Sequence, residues 1–306
     1  MDAISFDQVQ VFLAVAEQGS FSAAARSLNR TQSAVTYAVQ KMEAQVGFPL
    51  FDRSSYRPAP TEAALALLPR ARRVAEEMVA FRAQARGIAD GVEVELALVV
   101  DALFPMARVL EALRAFSLRH PAVSTRLYVE SLGASTALVL DGSCAIGFLA
   151  VGFSESALLT RVPLLNVAMV PVAAPGHPLA QPRGPVPAEA VREHVQLVLT
   201  DKAAGTAGRD HGVLATRTWR LGDLGAKHAM LLAGLGWGNM PAHMVEQDIR
   251  EGRLRLIQLA ELATAGGQVS LPMCAGYRTA DPPGPAGRWM IEHLAATAMT
   301  TTKGGP

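Results

Sequence analysis

The sequence predicts a two-part molecule: a small helical domain closed by two short strands, then one long helix leading into an α/β domain. Three observations carry this. Apolar residues recur at helical spacing through roughly the first fifty residues. A second helical pattern holds from Thr61 to about Ile88, and from Gly91 short β-type runs alternate with helical ones. A length of 306 residues suits two domains.

Composition narrows the class. Hydrophobic residues make up 50% and charged residues 18%, so the chain can bury sizeable cores and is not a disordered polymer. A net charge of +1 excludes a chain coated in basic residues, such as a nucleic-acid condenser. From Ser20 to Arg57 the cations Arg26, Arg30, Lys41, Arg53 and Arg57 face only Glu43 and Asp52, an excess too modest to argue DNA binding alone. Cys144 and Cys274 stand far apart, with neither metal spacing nor a disulfide framework, and read as reduced cysteines in apolar surroundings. The N-terminus carries Asp2 and Asp7 and does not read as a signal peptide. The apolar run Leu164 to Ala174 is short and contains Pro171, so no membrane span is expected and the localisation reads as cytoplasmic.

Phe6, Val9, Phe12, Leu13 and Ala16 give an amphipathic first helix that stops at Gly19. Ser20 or Ser22 can cap a second helix, packed through Ala23, Ala24, Ala25 and Leu28. Asn29 and Arg30 turn the chain, and Thr31 caps a third helix to about Val46. Val35, Val39, Met42 and Val46 form its buried stripe. The opposite face carries Ser33, Thr36, Tyr37 and Gln40, hydrogen-bonding types with no acid among them. Two short helices with such an outward face suit a major groove, where amides and hydroxyls read base edges. A solvated face of a small helical domain has the same periodicity, and spacing alone leaves both readings open.

Gly47 to Phe51 ends the third helix and plants two aromatics, Phe48 and Phe51. Asp52 to Thr61 then reads as two short strands with a turn, a wing. Here the segment resembles the DNA-binding domain of LysR-type transcriptional regulators. The resemblance is carried by Phe12-Leu13-Ala14-Val15-Ala16, Gly19-Ser20-Phe21-Ser22-Ala23-Ala24-Ala25, Leu28 and Thr31-Gln32-Ser33-Ala34-Val35-Thr36. Leu50-Phe51-Asp52-Arg53, Arg57-Pro58 and Thr61-Glu62-Ala63 complete an ordered series far more specific than one helix-turn-helix. It implies a winged helix-turn-helix over 1–60, with Gln32, Ser33, Thr36 and Tyr37 facing the major groove and Gln40 on the same face. Thr31 would cap the recognition helix near a phosphate, and Arg53 and Arg57 would sit on the wing. Tyr56, Pro60 and Ala64 depart from the family pattern, the first at a position where a second wing Arg is common. Tyr37 also has a reading as a half-buried packing residue.

On the linker helix, 61–90, Leu67, Ala71, Val74, Met78, Phe81, Ala85 and Ile88 fall at alternating spacings of four and three, a coiled-coil seam of about three heptads. Arg70, Arg72, Arg73, Glu76, Glu77, Arg82 and Arg86 flank it. So long a helix must pack on something. The resemblance implies that it pairs two subunits, placing two recognition helices on the half-sites of a near-palindromic operator. The alternative is a core helix of one domain. Pro69 is expected to bend the helix or mark its true start.

Beyond Gly91, strands are expected at Val92–Val100, Ser124–Glu130, Ala145–Ala150, Val167–Ala173, Val195–Leu199 and Arg217–Leu221. Helices are expected at Leu103–Arg119, Gly133–Leu140 and Gly225–Ala233, and the tail from Thr297 to Pro306 reads as disordered. Met230 through Trp237 to Pro241, and Glu251-Gly252-Arg253-Leu254, resemble the family's effector-binding domain. That implies a two-lobed, periplasmic-binding-protein-like fold over 91–306. Its lobes would be about 91–163 plus 268–295 and 164–267, crossing near Pro163 and Gly267. Ligands in open α/β sheets bind beyond the carboxyl ends of strands. The expected effector residues are therefore Val100, Asp101, Ala102, Ser131, Leu132, Phe148, Thr200 and Asp201. Asp101 and Asp201 disfavour a simple anion, Phe104, Leu132 and Phe148 favour an apolar part, and both aspartates have an equal reading as helix caps or turn residues.

Gly234, Gly236 and Gly238 faintly suggest a dinucleotide loop, but Asn239 stands where the last glycine belongs. The histidines show no metal pair, with His211 and His228 reading as surface or packing residues, and no nucleophile elbow or P-loop appears. The expected protein is thus not an enzyme and needs no cofactor or metal. It is a homo-oligomeric regulator, a dimer or, as expected here, a tetramer, bound to double-stranded DNA and a small-molecule effector, with RNA polymerase a candidate partner. The rivals are a solute-binding or enzymatic α/β protein, and a DNA-binding protein whose second domain is a ligand-free or redox-responsive assembly module.

Overall fold

In the computed structural model, which describes residues 4–52, 58–153, 155–181, 184–200, 211–260 and 269–301, the chain divides into two compact units, Met1–Ala89 and Asp90–Pro306. In the first, α1 (Phe6–Gln18) opens on a capping box: Ser5 Oγ accepts from the Gln8 amide at 3.3 Å, and the Gln8 side chain accepts from the Ser5 amide at 2.7 Å. Ser20, rather than Ser22, caps α2 (Phe21–Ser27), accepting from the Ala23 amide. Thr31 caps α3 (Gln32–Val46) through the Ala34 amide. The stripe Val35, Val39 and Met42 is buried together with Ala38, against Val11, Phe12 and Val15 of α1 and Ala24 and Ala25 of α2. Val46 is only partly buried. Phe51 joins this core edge-on to Phe12 and Phe21, while Phe48 stays exposed.

The wing's base is two paired strands, β1 (Phe51–Asp52) and β2 (Ala59–Pro60). Arg53, Tyr56 and Arg57 lie outside the described residues. One carboxylate oxygen of Glu43 accepts from the amides of Leu50 at 2.8 Å and Phe51 at 3.2 Å, tying β1 to α3. From the other side Thr61 donates its amide to Leu50 O and its hydroxyl to Pro49 O.

Thr61 also caps α4 (Glu62–Ala89), accepting from the Ala64 amide. The helix begins before Pro69 and continues past it, so the proline does not mark its start. Ala64, Leu68 and Ala71 are buried in the core of the first unit, and Leu67 packs against it. The first turns of the expected seam therefore belong to the protomer's own domain, and the linker is not a separate segment. Farther along, Val74, Phe81, Ala85 and Ile88 are exposed and Met78 is half-buried.

The second unit is built on one hydrogen-bonded sheet of nine strands among the described residues. Its elements are β3 (Glu95–Asp101), α5 (Met106–Arg119), β4 (Ser124–Glu130), α6 (Gly133–Leu140), β5 (Ile146–Ala150), β6 (Leu159–Ala173), α7 (Ala188–Arg192), β7 (Gln196–Leu199), β8 (Thr218–Leu221), α8 (Leu224–Leu232), β9 (Trp237–Pro241), α9 (Ala242–Arg250), β10 (Arg255–Leu256), β11 (Val269–Arg278) and α10 (Pro285–Thr301). The order is β4-β3-β5-β11-β6-β9-β7-β8, with β10 on β6. Strands β3, β4 and β5 run parallel in one lobe, and β7, β8 and β9 run parallel in the other.

The antiparallel pair β6 and β11 threads both lobes. Its register slips once, where Met273 faces Leu165 and Cys274 faces Pro163. Gly267 lies outside the described residues; the change of partner from β6 alone to β6 and β5 falls on β11 at Met273. Two expectations are corrected. Strand β6 begins at Leu159 rather than Val167, its first half being carried by pairing to β11 in spite of Pro163. The tail is helical through Thr301, where Arg108 donates to Thr297 O and the Thr297 hydroxyl bonds His293 O; residues 302–306 are not described. The glycines near α8 have a packing cause. A Cβ on Gly236 or Gly238 would lie 2.6 Å from the carbonyl oxygens of Val195 and Leu197, so only glycine lets β9 lie against β7. Gly238→Ala is expected to cost about 2 kcal/mol through this overlap. Thermal unfolding checks it, and an unchanged melting temperature would refute the packing account.

Candidate functional site

On α3 the structure places Thr31, Gln32, Ser33, Tyr37 and Gln40 in solvent, with Thr36 partly buried. Tyr37 is 67% exposed, which removes the packing reading. The Thr36 hydroxyl donates to Gln32 O at 2.9 Å, and the hydroxyls of Thr31 and Ser33 lie 3.1 Å apart. Ser33, Tyr37 and Gln40 therefore form an open polar row opposite the buried stripe. Beside it runs a groove of about 680 Å³ lined by Ser20, Ser22, Arg26, Gln32 and Pro58, among others. Sequence reasoning noted Arg26 only within the cation excess. Arg30 is held differently: its two terminal guanidinium nitrogens donate to Asp7, and that hydrogen bonding keeps the Asp7 carboxyl below its ordinary range.

In the second unit a cavity of about 70 Å³ lies between the lobes. Leu103 and Leu132 line it from the first lobe, Leu199, Lys227 and Asn239 from the second, and Phe153 and His211 meet edge-on at 4.5 Å along one wall. Of the eight expected effector residues, Leu132 alone is among its lining. Val100 and Phe148 are fully buried in the core, Ser131 is buried, Ala102 and Thr200 are partly buried, and Asp201 lies outside the described residues.

Asp101 is fully buried as a clamp. Oδ1 accepts from the Leu103 amide at 2.9 Å, and Oδ2 accepts from the Leu132 amide at 2.8 Å and the Ser135 hydroxyl at 3.2 Å. It holds the loops after β3 and β4, and with them Leu132 at φ 57°, a conformation that branched side chains avoid. Asp101 is not among the cavity's described lining, and its oxygens are engaged by these donors, so it acts as a clamp on the loops and not as a direct ligand contact.

Lys227 was missed. It is 4% exposed, on the buried stripe Leu224, Lys227 and Leu231 of α8. Its Nζ donates to Asn239 O at 2.7 Å, no carboxylate pairs with it among the described residues, and burial pushes the amine down to about 8. The spacing of three and four from Leu224 to Leu231 was the signal that places it inward. Nearby, buried Asp248 accepts from Arg253 and lies 2.7 Å from His228 Nε2. Burial raises its carboxyl, but the Arg253 and His228 hydrogen bonds outweigh that and hold it low. Cys144 and Cys274 are buried and free in one apolar cluster, with burial pushing the Cys144 thiol up to about 11; neither is a ready thiolate. Among the described residues no His, Cys, Asp and Glu cluster is gathered for a metal, and no helix is long and apolar enough to cross a membrane.

The depressed Lys227 value makes a stability prediction. Between about pH 8 and 10.5 the unfolded chain binds more protons than the folded one, so stability rises with pH across that window. Lys227→Met is expected to lack the rise and to be more stable than the natural chain at neutral pH by on the order of 2 kcal/mol, after the lost hydrogen bond is offset. Urea unfolding on either side of the window checks it; parallel pH profiles for the two proteins would refute it.

Comparison with known proteins adds the following. Residues 6–65 match the family described as bacterial regulatory helix-turn-helix protein, lysR family, and residues 89–299 match the LysR substrate binding domain. The chain is 31% identical over 265 residues to the probable HTH-type transcriptional regulator YhaJ of Escherichia coli (strain K12), covering 83% of this chain and 86% of that one. It is 28% identical over 255 residues to the HTH-type transcriptional regulator AceR of Acinetobacter baumannii, covering 80% and 82%. Its structure is similar to that of CbnR, a LysR family transcriptional regulator, with a TM-score of 0.54 at 24% identity, covering 95% of this chain and 99% of that one.

Proposed function

The chain belongs to the LysR family of DNA-binding transcriptional regulators with a C-terminal effector-binding domain, and from that premise we propose how its parts divide the work. The exposed row of α3 reads base edges in double-stranded DNA, and a small molecule held between the lobes of the second unit sets how the DNA-binding parts engage. As a member of this family the protein is a regulator and not an enzyme. The observation that carries the DNA reading is the row Ser33, Tyr37 and Gln40, open to solvent on a helix whose other face is fully committed to its core. Thr31 and Gln32 at the start of α3, Thr36 within it, Arg53 and Arg57 on the wing, and Arg26 on the adjoining groove supply the remaining contacts. Its place of action is the cytoplasm, with the DNA.

Self-association uses the outer part of α4. Val74 and Phe81 are exposed beside half-buried Met78, along a groove of about 580 Å³ flanked by Arg70, Arg73 and Glu77. A second α4 covers this seam through Val74, Met78, Phe81, Ala85 and Ile88, and two α3 helices then meet two half-sites of a near-palindrome. A larger assembly has a second surface in edge strand β4, where Leu127, Tyr128 and Val129 are exposed. RNA polymerase is the further partner such a DNA-bound regulator meets.

On DNA selected from random sequence, Ser33→Ala and Tyr37→Ala are expected to weaken binding by about 1–3 kcal/mol each and relax base preference, and affinity is expected to fall steeply with salt. Fluorescence anisotropy checks both; variants that keep natural affinity and preference would remove α3 from the groove. Phe81→Glu is expected to dissociate the dimer, measured by sedimentation. A dimer unchanged in the variant would place the self-contact elsewhere.

A further inference from the structure

Among the described residues Lys227 has no carboxylate partner and donates to the Asn239 carbonyl. A methionine fits the same stripe between Leu224 and Leu231 without bringing an ammonium into an apolar interior. The helix around it is otherwise apolar or small, and the close approach of Gly238 to the Lys227 stem, at 3.2 Å for a built Cβ, leaves the side chain little freedom. The amine is fixed beside the cavity, with one carbonyl partner and donors to spare.

Among the described residues the cavity's other polar groups are Gln196, Asn239 and His211, whose ring meets Phe153 edge-on at 4.5 Å. Gln196 donates to Gly212 O and accepts from the Leu214 and Ala215 amides. Asn239 gives its carbonyl oxygen to Lys227 itself. Leu103, Leu132, Leu199 and Phe153 make the remainder apolar. A cationic ligand would meet the buried ammonium, and a purely apolar one would seal it in without a counter-charge. An anion with a short apolar body satisfies both walls. The cavity's volume of about 70 Å³ suits a small occupant, since a single water needs about 10–15 Å³.

We infer that the effector is a compact carboxylate whose negative end pairs with Lys227 and whose short hydrocarbon lies against Leu103, Leu132 and Phe153. This rests on the effector-cleft reading above and adds the ligand's class and its anchoring residue, which the strand-end rule did not find.

The test uses the full-length chain, with propionate and butyrate as probes and propionamide and butyramide as uncharged isosteres, followed by calorimetry. The carboxylates are expected to bind about tenfold or more tightly than their amides. In Lys227→Met, whose folding is checked by its unfolding curve, that ratio is expected to fall to about one. Amides that bind as tightly as acids, a preference that survives Lys227→Met, or no binding by either acid would each overturn the proposal. DNA affinity measured with and without butyrate separates the two claims. Carboxylate binding that leaves DNA affinity unmoved keeps the anion site and overturns the regulatory reading. A neutral compound that stabilises the chain and shifts DNA affinity where the acids do neither overturns the carboxylate and keeps the regulator.

Discussion

The second unit depends on one constraint: β11 is paired along its whole length with β6, and the two serve both lobes at once. Ten residues of β11 are matched to β6, so the lobes cannot separate without breaking this ladder, yet the single slip at Leu164 lets the sheet change direction between them. Everything that lines the cavity is placed relative to that pair. Met169 of β6 contributes to the wall directly, while β3 and β5 reach it through β11, and β7 through β9. The clamp at Asp101 then aims the loops after β3 and β4 inward and holds Leu132 in its strained conformation. Backbone strain kept at a cavity wall, and sustained by a buried carboxylate, is the pattern expected where a protein sets ligand geometry in advance.

The sequence is legible where local chemistry and the buried pattern agree. In the first unit, Ser5, Ser20 and Thr31 are good caps before good apolar stripes, and the helices begin at those residues. The seam on α4 is legible as a period but not as a destination. The same spacing serves Ala71, buried in its own domain, and Phe81, open to solvent, because only the fold decides where α1 stops covering the helix. Strand β11 and the first half of β6 are not legible, since Pro163, Pro272 and Gly276 look like breakers. In an antiparallel pair between two lobes they are tolerated at the change of register and at a close approach to Leu149.

The site residues divide along the same line. Asp101 has the residue type of a ligand contact and the position of one, but its oxygens are occupied by amides of loops that only the tertiary fold brings near. Lys227 has the periodicity of a core residue and the type of a surface one. That conflict is itself informative, because a local rule broken with no opposite charge beside it among the described residues is where function is expected.

Regulation by a ligand needs an interaction that differs between two states, and a buried ammonium with no carboxylate partner among the described residues supplies one. Lys227 carries the cost of its burial with the Asn239 carbonyl as its hydrogen-bond partner among the described residues. On the proposal above, a counter-anion bound there would favour the charged amine and draw the Lys227–Asn239 side of the cavity toward the Leu103–Leu132 side, where Asp101 holds the loops. The more completely the lobes exclude water around that pair, the stronger the attraction becomes. On that proposal, closure and anion binding would reinforce each other. A neutral ligand of the same shape would fill the space without this coupling, so in this cleft the discrimination between effectors and the response to them rest on the same charge.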